Sequence, residues 1–179
     1  MVDVKLLIDK YYKDYPELRE ILWTHSKNVA DHCVRIARQH PELNVDLEFL
    51  EEAALLHDIG VVFTDAPGIC CFGSAAYICH GYLGAELLRK EGMPKHARVC
   101  ERHTGTGLSA HDVIHSNLEI PAQDYYPETI EEQIICYADK FYSKTRPNRE
   151  KTIDEVLKSL ERFGNEGVER FRRWMEIFE

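Results

Sequence analysis

This sequence predicts an all-α fold, on three observations. Inward-facing residues recur at spacings of three and four along nearly every segment, as in Leu18, Leu22, His25, Val29, Cys33 and Ile36. Proline and glycine stand where helices begin and stop, among them Pro16, Pro41, Gly60, Gly92 and Pro94. No stretch alternates apolar and polar residues as a half-buried strand would, and no internal repeat or low-complexity tract breaks the chain. With 179 residues, 44% of them hydrophobic, the chain is long enough for one domain with its own core. That domain is expected to span residues 1–179 without a linker.

The elements follow in order. Pro16-Glu17 opens a long helix, proline being tolerated in a first turn. His25 falls on its apolar stripe and so points inward. Pro41 ends this helix. Asp46 is a suitable N-cap for the next, which carries Phe49, Leu50, Ala53, Ala54, Leu56 and His57 and stops at Gly60. Residues 61–80 mix glycine, proline and cysteine without a period and read as a loop. Gly81 to Glu91 is a helix broken by Gly92 and Pro94, and Lys95 to Arg102 is another, with His103 at its C-terminal end. The polar 105–127 stretch reads as a lid or a plain connection. Glu128 to Tyr142 is helical, with Asp139 at the flank of its apolar stripe. The C-terminal residues, 150–179, give one or two amphipathic helices packed on the rest, with a break at Gly164 and Gly167.

Composition excludes several functions. A formal charge of -9 argues against a nucleic-acid polymer as the main ligand, because a polyphosphate backbone needs a cationic face. It leaves room for a small phosphorylated substrate, since a metal centre supplies its own positive charge. No apolar stretch approaches membrane-spanning length. The charged segment Met1 to Tyr12 has no secretory h-region, so a cytoplasmic protein is expected. Cys33, Cys70, Cys71, Cys79, Cys100 and Cys136 form no CxxC pair and read as reduced thiols. A metal cluster of Cys70, Cys71 and Cys79 is disfavoured, because vicinal cysteines chelate awkwardly.

His57-Asp58 is the most informative pair. It ends an apolar helical run and is costly to bury unless something pairs with both residues. A divalent metal would do so, and His25, His80, His103 and Asp139 offer further ligands. Each has a plainer reading by itself: His25 as a core histidine, His80 and His103 as surface histidines, His57-Asp58 as a hydrogen-bonded pair. Asp139, between Ala138 and Phe141, needs a counter-charge, and neither Lys140 nor Lys144 is required to face inward. Taken together, the ordered set points to a metal-dependent hydrolase with two metals. Imidazole and carboxylate suit zinc, iron, manganese or cobalt. Arg102, Lys140 and Arg146 stand beside proposed ligands and are candidate substrate-phosphate contacts, each also readable as a solvated helix charge. His32 is roughly 10 Å beyond His25 along the helix axis, too far to share its metal. His40 and His96 are expected in solvent. His111-Asp112 has no apolar helix behind it and reads as incidental, with His115 a weak substrate contact.

With these residues in place, the chain resembles the HD-domain metal-dependent phosphohydrolase superfamily. His25, His57-Asp58 and Asp139 match its H…HD…D signature, and His57-Asp58-Ile59-Gly60 its common HDIG form, across about residues 20–146. His80-Gly81 with Gly84-Ala85, His103-Thr104-Gly105, and Ala138-Asp139 with Arg146 make the symmetrical dinucleoside-tetraphosphatase branch the most similar. The resemblance implies a helical bundle in which His25, His57, Asp58 and Asp139 hold one metal. His80 and His103 would hold a second, with Asp58 bridging and His57 and Asp58 central to catalysis. It implies iron first, with manganese, cobalt, zinc or nickel as alternatives, and a nucleotide or similar small phosphate as substrate. Two departures stand out. Val61 occupies a position where many relatives carry lysine, and Gly81-Tyr82-Leu83 is not the GYP motif of the cyclic-dinucleotide branch. A di-iron oxygenase, a non-catalytic metal- or nucleotide-binding module and a homodimer remain open at this level.

Overall fold

Helix α2, Pro16–Gln39, runs through the middle of the molecule and packs on helices to either side. The computed structural model describes residues 3–179, the side chain of Asn148 excepted. Met1 and Val2, counted in the expected domain, lie outside the described residues. Around α2 stand α1 (Val4–Tyr12), α3 (Leu47–Leu56), α4 (His80–Lys90), α5 (Pro94–Arg102) and α7 (Ile130–Asp139). A short α6 (Ala110–His115) precedes α7, and α8 (Ile153–Leu160) and α9 (Asn165–Phe178) close the chain.

The all-α expectation holds, with local corrections. Helix α1 was not anticipated; the Asp3 side chain caps it by accepting from the Leu6 N–H. Residues 61–80 are not a plain loop. A 3-10 turn at Ile59–Phe63 leads into a small sheet of β1 (Thr64–Ala66), β2 (Cys71–Phe72) and β3 (Ala75–Ala76), in the order β2-β1-β3. Asp65 pairs with Phe72 antiparallel and with Ala76 parallel. The 105–127 connection contains α6, held by a Ser109/Asp112 capping box. Helix α7 stops at Asp139, and an antiparallel hairpin follows, β4 (Tyr142–Ser143) with β5 (Arg146–Glu150). These strands are too short to show alternation in sequence.

Two apolar cores form. One joins α2 and α7 to α8 and α9 through Val29, Ile36, Ile134, Tyr137, Phe171 and Trp174. The other joins α1, α2, the end of α3, α4 and α5 through Ile8, Leu22, Leu56, Leu88 and Cys100. Tyr137 stacks on Phe171 with ring centroids 4.7 Å apart, which ties the C-terminal helices to α7. Among the described residues, no helix is long and apolar enough to cross a membrane.

Candidate metal centre

The helices aim six polar side chains at the seam between the two cores. His25 lies on the inward face of α2, between Leu22 of one core and Val29 of the other. Helix α3 ends at Leu56, so His57 and Asp58 leave its C-terminus fully buried. His80 is the first residue of α4, His103 follows the last residue of α5, and Asp139 ends α7. Two glycines permit the convergence. A Cβ on Gly60 would lie 2.2 Å from the His80 carbonyl oxygen, and one on Gly81 would lie 2.7 Å from that of Cys100. Any side chain at either position would push α4, and His80 with it, out of place.

Asp58 stands at the centre. Its Oδ2 is 3.0 Å from His25 Nε2 and 3.1 Å from His57 Nε2. Asp139 Oδ1 closes that side, at 3.0 Å from His25 Nε2 and 3.4 Å from His57 Nε2. The other Asp58 oxygen, Oδ1, is 3.2 Å from His80 Nε2 and 3.3 Å from His103 Nε2. Two potential ligand sets result, His25–His57–Asp58–Asp139 and Asp58–His80–His103, each with its donor atoms within 4.8 Å of one another.

The donor set fits divalent cations. Nδ1 of His57, His80 and His103 lies 2.6 Å from the carbonyl oxygens of Ala54, Tyr77 and Cys100 respectively. A carbonyl accepts and cannot donate, so each Nδ1 carries a proton and Nε2 is the atom left to face inward, as a ligand lone pair whenever the ring is neutral. The Nε2 atoms of His80 and His103 are 3.0 Å apart. Two facing lone pairs at that distance repel unless a cation stands between them. His57 Nε2 and both Asp58 oxygens are buried without a hydrogen-bond partner, although polar atoms approach to within 3.4 Å. Atoms that crowd together without hydrogen-bond alignment are arranged as ligands around a point. His25 differs in that its Nδ1 has no partner.

Charge in the cluster follows from burial and from its neighbours. Burial opposes ionisation of Asp58, but Lys144 and His57 hold its carboxyl well below the usual carboxylate range. Asp139 is likewise opposed by burial and held low by Lys140, His25 and His57. Burial opposes a charge on His57, yet Asp58 and Asp139 raise it to about 9. Burial takes His103 down to about 4 against the pull of Asp58.

Both lysines, neither of which the sequence required to face inward, do so. Lys140 Nζ faces inward, 2.6 Å from Asp139 Oδ2 and 3.2 Å from the His103 carbonyl oxygen, so its charge is committed. Lys144, at the tip of the β4–β5 hairpin, places its ammonium against Asp58 Oδ2 and 3.5 Å from His25 Nε2. Neither Arg102 nor Arg146 lines a cavity at the cluster. Arg102 bonds the Tyr126 carbonyl oxygen at 2.6 Å and Glu128 at 3.1 Å, and Arg146 is exposed on β5. His32 is buried against Phe141, Tyr137 and Tyr142, away from the cluster. His96 is not in solvent but packs between Glu52 and the Phe49 ring. Asp112 serves as a helix cap, and His111 stacks on His115 at the surface. Cys71 donates to the carbonyls of Val61 and Thr64. None of Cys70, Cys71 and Cys79 belongs to either ligand set.

Two cavities open on the cluster. One, of about 380 Å³, runs past His25 and Asp139 between Ile69, Tyr77, Tyr142 and Lys151. The other, of about 220 Å³, lies over His80, His103, Thr104 and Gly105. Lys144, Tyr77 and Asp139 line both. Tyr77 is stacked on His80 with centroids 4.8 Å apart. Sequence reasoning missed Lys144 and Tyr77, since both lie in stretches without helical period.

Comparison with known proteins is consistent with this architecture. The profile described as HD domain matches residues 22–143. An uncharacterized protein of Methanocaldococcus jannaschii is 35% identical over 76% of this chain and 78% of its own length. A tRNA (cytidine(56)-2'-O)-methyltransferase of Thermoplasma volcanium is 34% identical over 69% of this chain and 32% of its own length. Ribonuclease Y of Alkaliphilus metalliredigens is 29% identical over 87% of this chain and 30% of its own length. The chain thus spans about a third of these last two relatives. The HD domain of the L. monocytogenes phosphodiesterase PgpH, solved in complex with cyclic-di-AMP, shares the fold with a TM-score of 0.58 at 18% identity, over 93% of this chain and 92% of that one.

Proposed function

This chain belongs to the HD domain family, and on that premise we propose that it is a metal-dependent phosphohydrolase cleaving a phosphate ester or pyrophosphate of a nucleotide or similar small substrate. The observation that carries this reading is Asp58, whose two carboxylate oxygens each face a separate pair of imidazoles. In this reading His25, His57, Asp58 and Asp139 would hold one divalent ion, and Asp58, His80 and His103 would hold the other. When bound, such a pair supplies Lewis acidity toward phosphate oxygens and makes water a nucleophile at neutral pH. The protein's own part is to fix the donors. The Ala54, Tyr77 and Cys100 carbonyls lock three rings, Lys140 orients Asp139, and the apolar seam keeps bulk water away.

The cavities support this substrate class. The 380 Å³ cavity has amines at Lys144 and Lys151, hydroxyls at Ser143 and Thr145, and apolar walls at Ile69, Tyr77 and Tyr142. Cationic and hydroxyl groups beside aromatic walls suit a phosphate attached to a nucleobase-sized group. A symmetrical dinucleoside tetraphosphate is the first substrate to test, given the motif match around His80, His103 and Asp139. A second reading, hydrolysis of an RNA phosphodiester, is favoured by the match to Ribonuclease Y over 87% of the chain.

The test is metal analysis of protein purified without added salts, followed by a panel of nucleoside phosphates, dinucleoside polyphosphates, cyclic dinucleotides and short RNA. Two divalent ions per chain with turnover of a small nucleotide supports the first reading. Turnover confined to RNA supports the second. Iron with an O2 requirement points to oxygenase chemistry instead, and metal without turnover of any compound contradicts the assignment as an enzyme.

A further inference from the structure

Lys144 is out of place for a solvated hairpin residue. Its side chain is 12% exposed, and its ammonium rests against an oxygen of fully buried Asp58. It also stands 3.5 Å from His25 Nε2 and 5.8 Å from the centre of the Tyr77 ring. Burial opposes its charge, but Asp58, Tyr77 and Asp139 hold it protonated. The ammonium therefore lies among the donor atoms of the first ligand set, where a divalent ion would also have to stand.

Both cannot remain. Asp58 Oδ2 cannot give the same lone pairs to an ammonium and to a divalent ion, and the two cations would repel at contact distance. The lysine stem has four rotatable bonds and its backbone sits at a hairpin tip between Ser143 and Thr145, so the amine is free to swing. Its side chain lines both cavities. The larger one also presents Ser143, Thr145 and Lys151, a set of groups that suits phosphate oxygens.

We propose that Lys144 is a displaceable cation, resting on Asp58 in the metal-free protein, driven off when a divalent ion takes the His25 side, and then holding a phosphate oxygen of the substrate in the 380 Å³ cavity. This rests on the metal reading given above and assigns Lys144 a role in it. The lysine competes with metal and cooperates with phosphate, so its removal acts with opposite sign on the two.

The experiment titrates Mn²⁺ into the metal-stripped full chain by calorimetry, for wild type and Lys144→Met, and then inorganic phosphate into the Mn²⁺-loaded proteins. Lys144→Met should bind Mn²⁺ about tenfold more tightly at one of its two sites, the His25 side, and the loaded variant should bind phosphate about tenfold more weakly. Unchanged or weaker Mn²⁺ binding by the variant overturns the proposal, as does unchanged phosphate binding. Wild type that binds no Mn²⁺ fails the metal reading and takes this inference with it. Wild type that binds Mn²⁺ while the variant shows no gain fails this inference alone. Should Lys144→Met not fold, amine acylation of wild type read by mass spectrometry decides. Lys144 should be protected without metal, labelled faster with Mn²⁺, and protected again by added phosphate; labelling indifferent to Mn²⁺ overturns the proposal.

Discussion

The two halves of the cluster share Asp58 and differ in how their charge is balanced. On the His25 side two carboxylates meet two imidazoles, and the protein supplies its own cations. Lys144 rests on Asp58, Lys140 on Asp139, and His57 is raised to about 9. On the His80 side one carboxylate oxygen meets two rings locked by backbone carbonyls, and among the described residues no lysine amine contacts either ring. His103 falls to about 4 there. The first half is thus balanced in part by the Lys144 ammonium, which a metal must displace. In the second, the Nε2 atoms of His80 and His103 stand 3.0 Å apart, and among the described residues no lysine ammonium rests on them for a metal to displace. Equal ligand distances therefore do not mean equal binding.

Substitutions can break that comparison or sharpen it. The largest effect is expected from Asp58→Ala, because one side chain serves both halves. Metal content should fall to near zero and turnover by at least about 1,000-fold. Retention of one full equivalent of metal would show that Asp58 does not bridge.

His103→Ala should separate the halves. One ion stays on the His25 side while the second is lost, and turnover falls about 100-fold. Elemental analysis checks the stoichiometry, and two ions per chain in this variant would remove His103 from the set.

The smallest effect lies outside both halves, at His32. Burial, with Arg35 nearby, lowers this histidine from 6.5 to about 4 against Glu150 and Glu179. The unfolded chain therefore takes up a proton that the folded chain refuses as pH falls from 6.5 toward 4. Stability is lost over that window, by roughly 3 kcal/mol. His32→Ala should keep full metal content, and its stability relative to wild type should improve by that amount between pH 6.5 and 4. A parallel pH dependence in the two proteins would contradict this.

The sequence was legible where periodicity speaks. His25 sits on an apolar stripe, and His57-Asp58, His103 and Asp139 sit at helix ends, so the structure brings together the residues that the pattern marked. The parts that were not legible have a common cause. Lys144 reaches the site from the tip of a hairpin and Tyr77 from a 3-10 turn just after β3, beside strands two to five residues long, and such short elements carry no period. The sequence did not require Lys140 or Lys144 to face inward, and a lysine charge normally seeks water. Two buried carboxylates reverse that preference, and these partners are visible in space and not in sequence. The direction of Arg102 is set by Glu128 across the fold, and that too lies beyond helical spacing.

Crystals grown with Mn²⁺ and measured above and below its absorption edge test the central claim most directly. The account predicts two anomalous peaks about 4 Å apart, one against each oxygen of Asp58, with the Lys144 amine withdrawn from that carboxylate. A single peak, or none at Asp58 with the amine still in place, would contradict it.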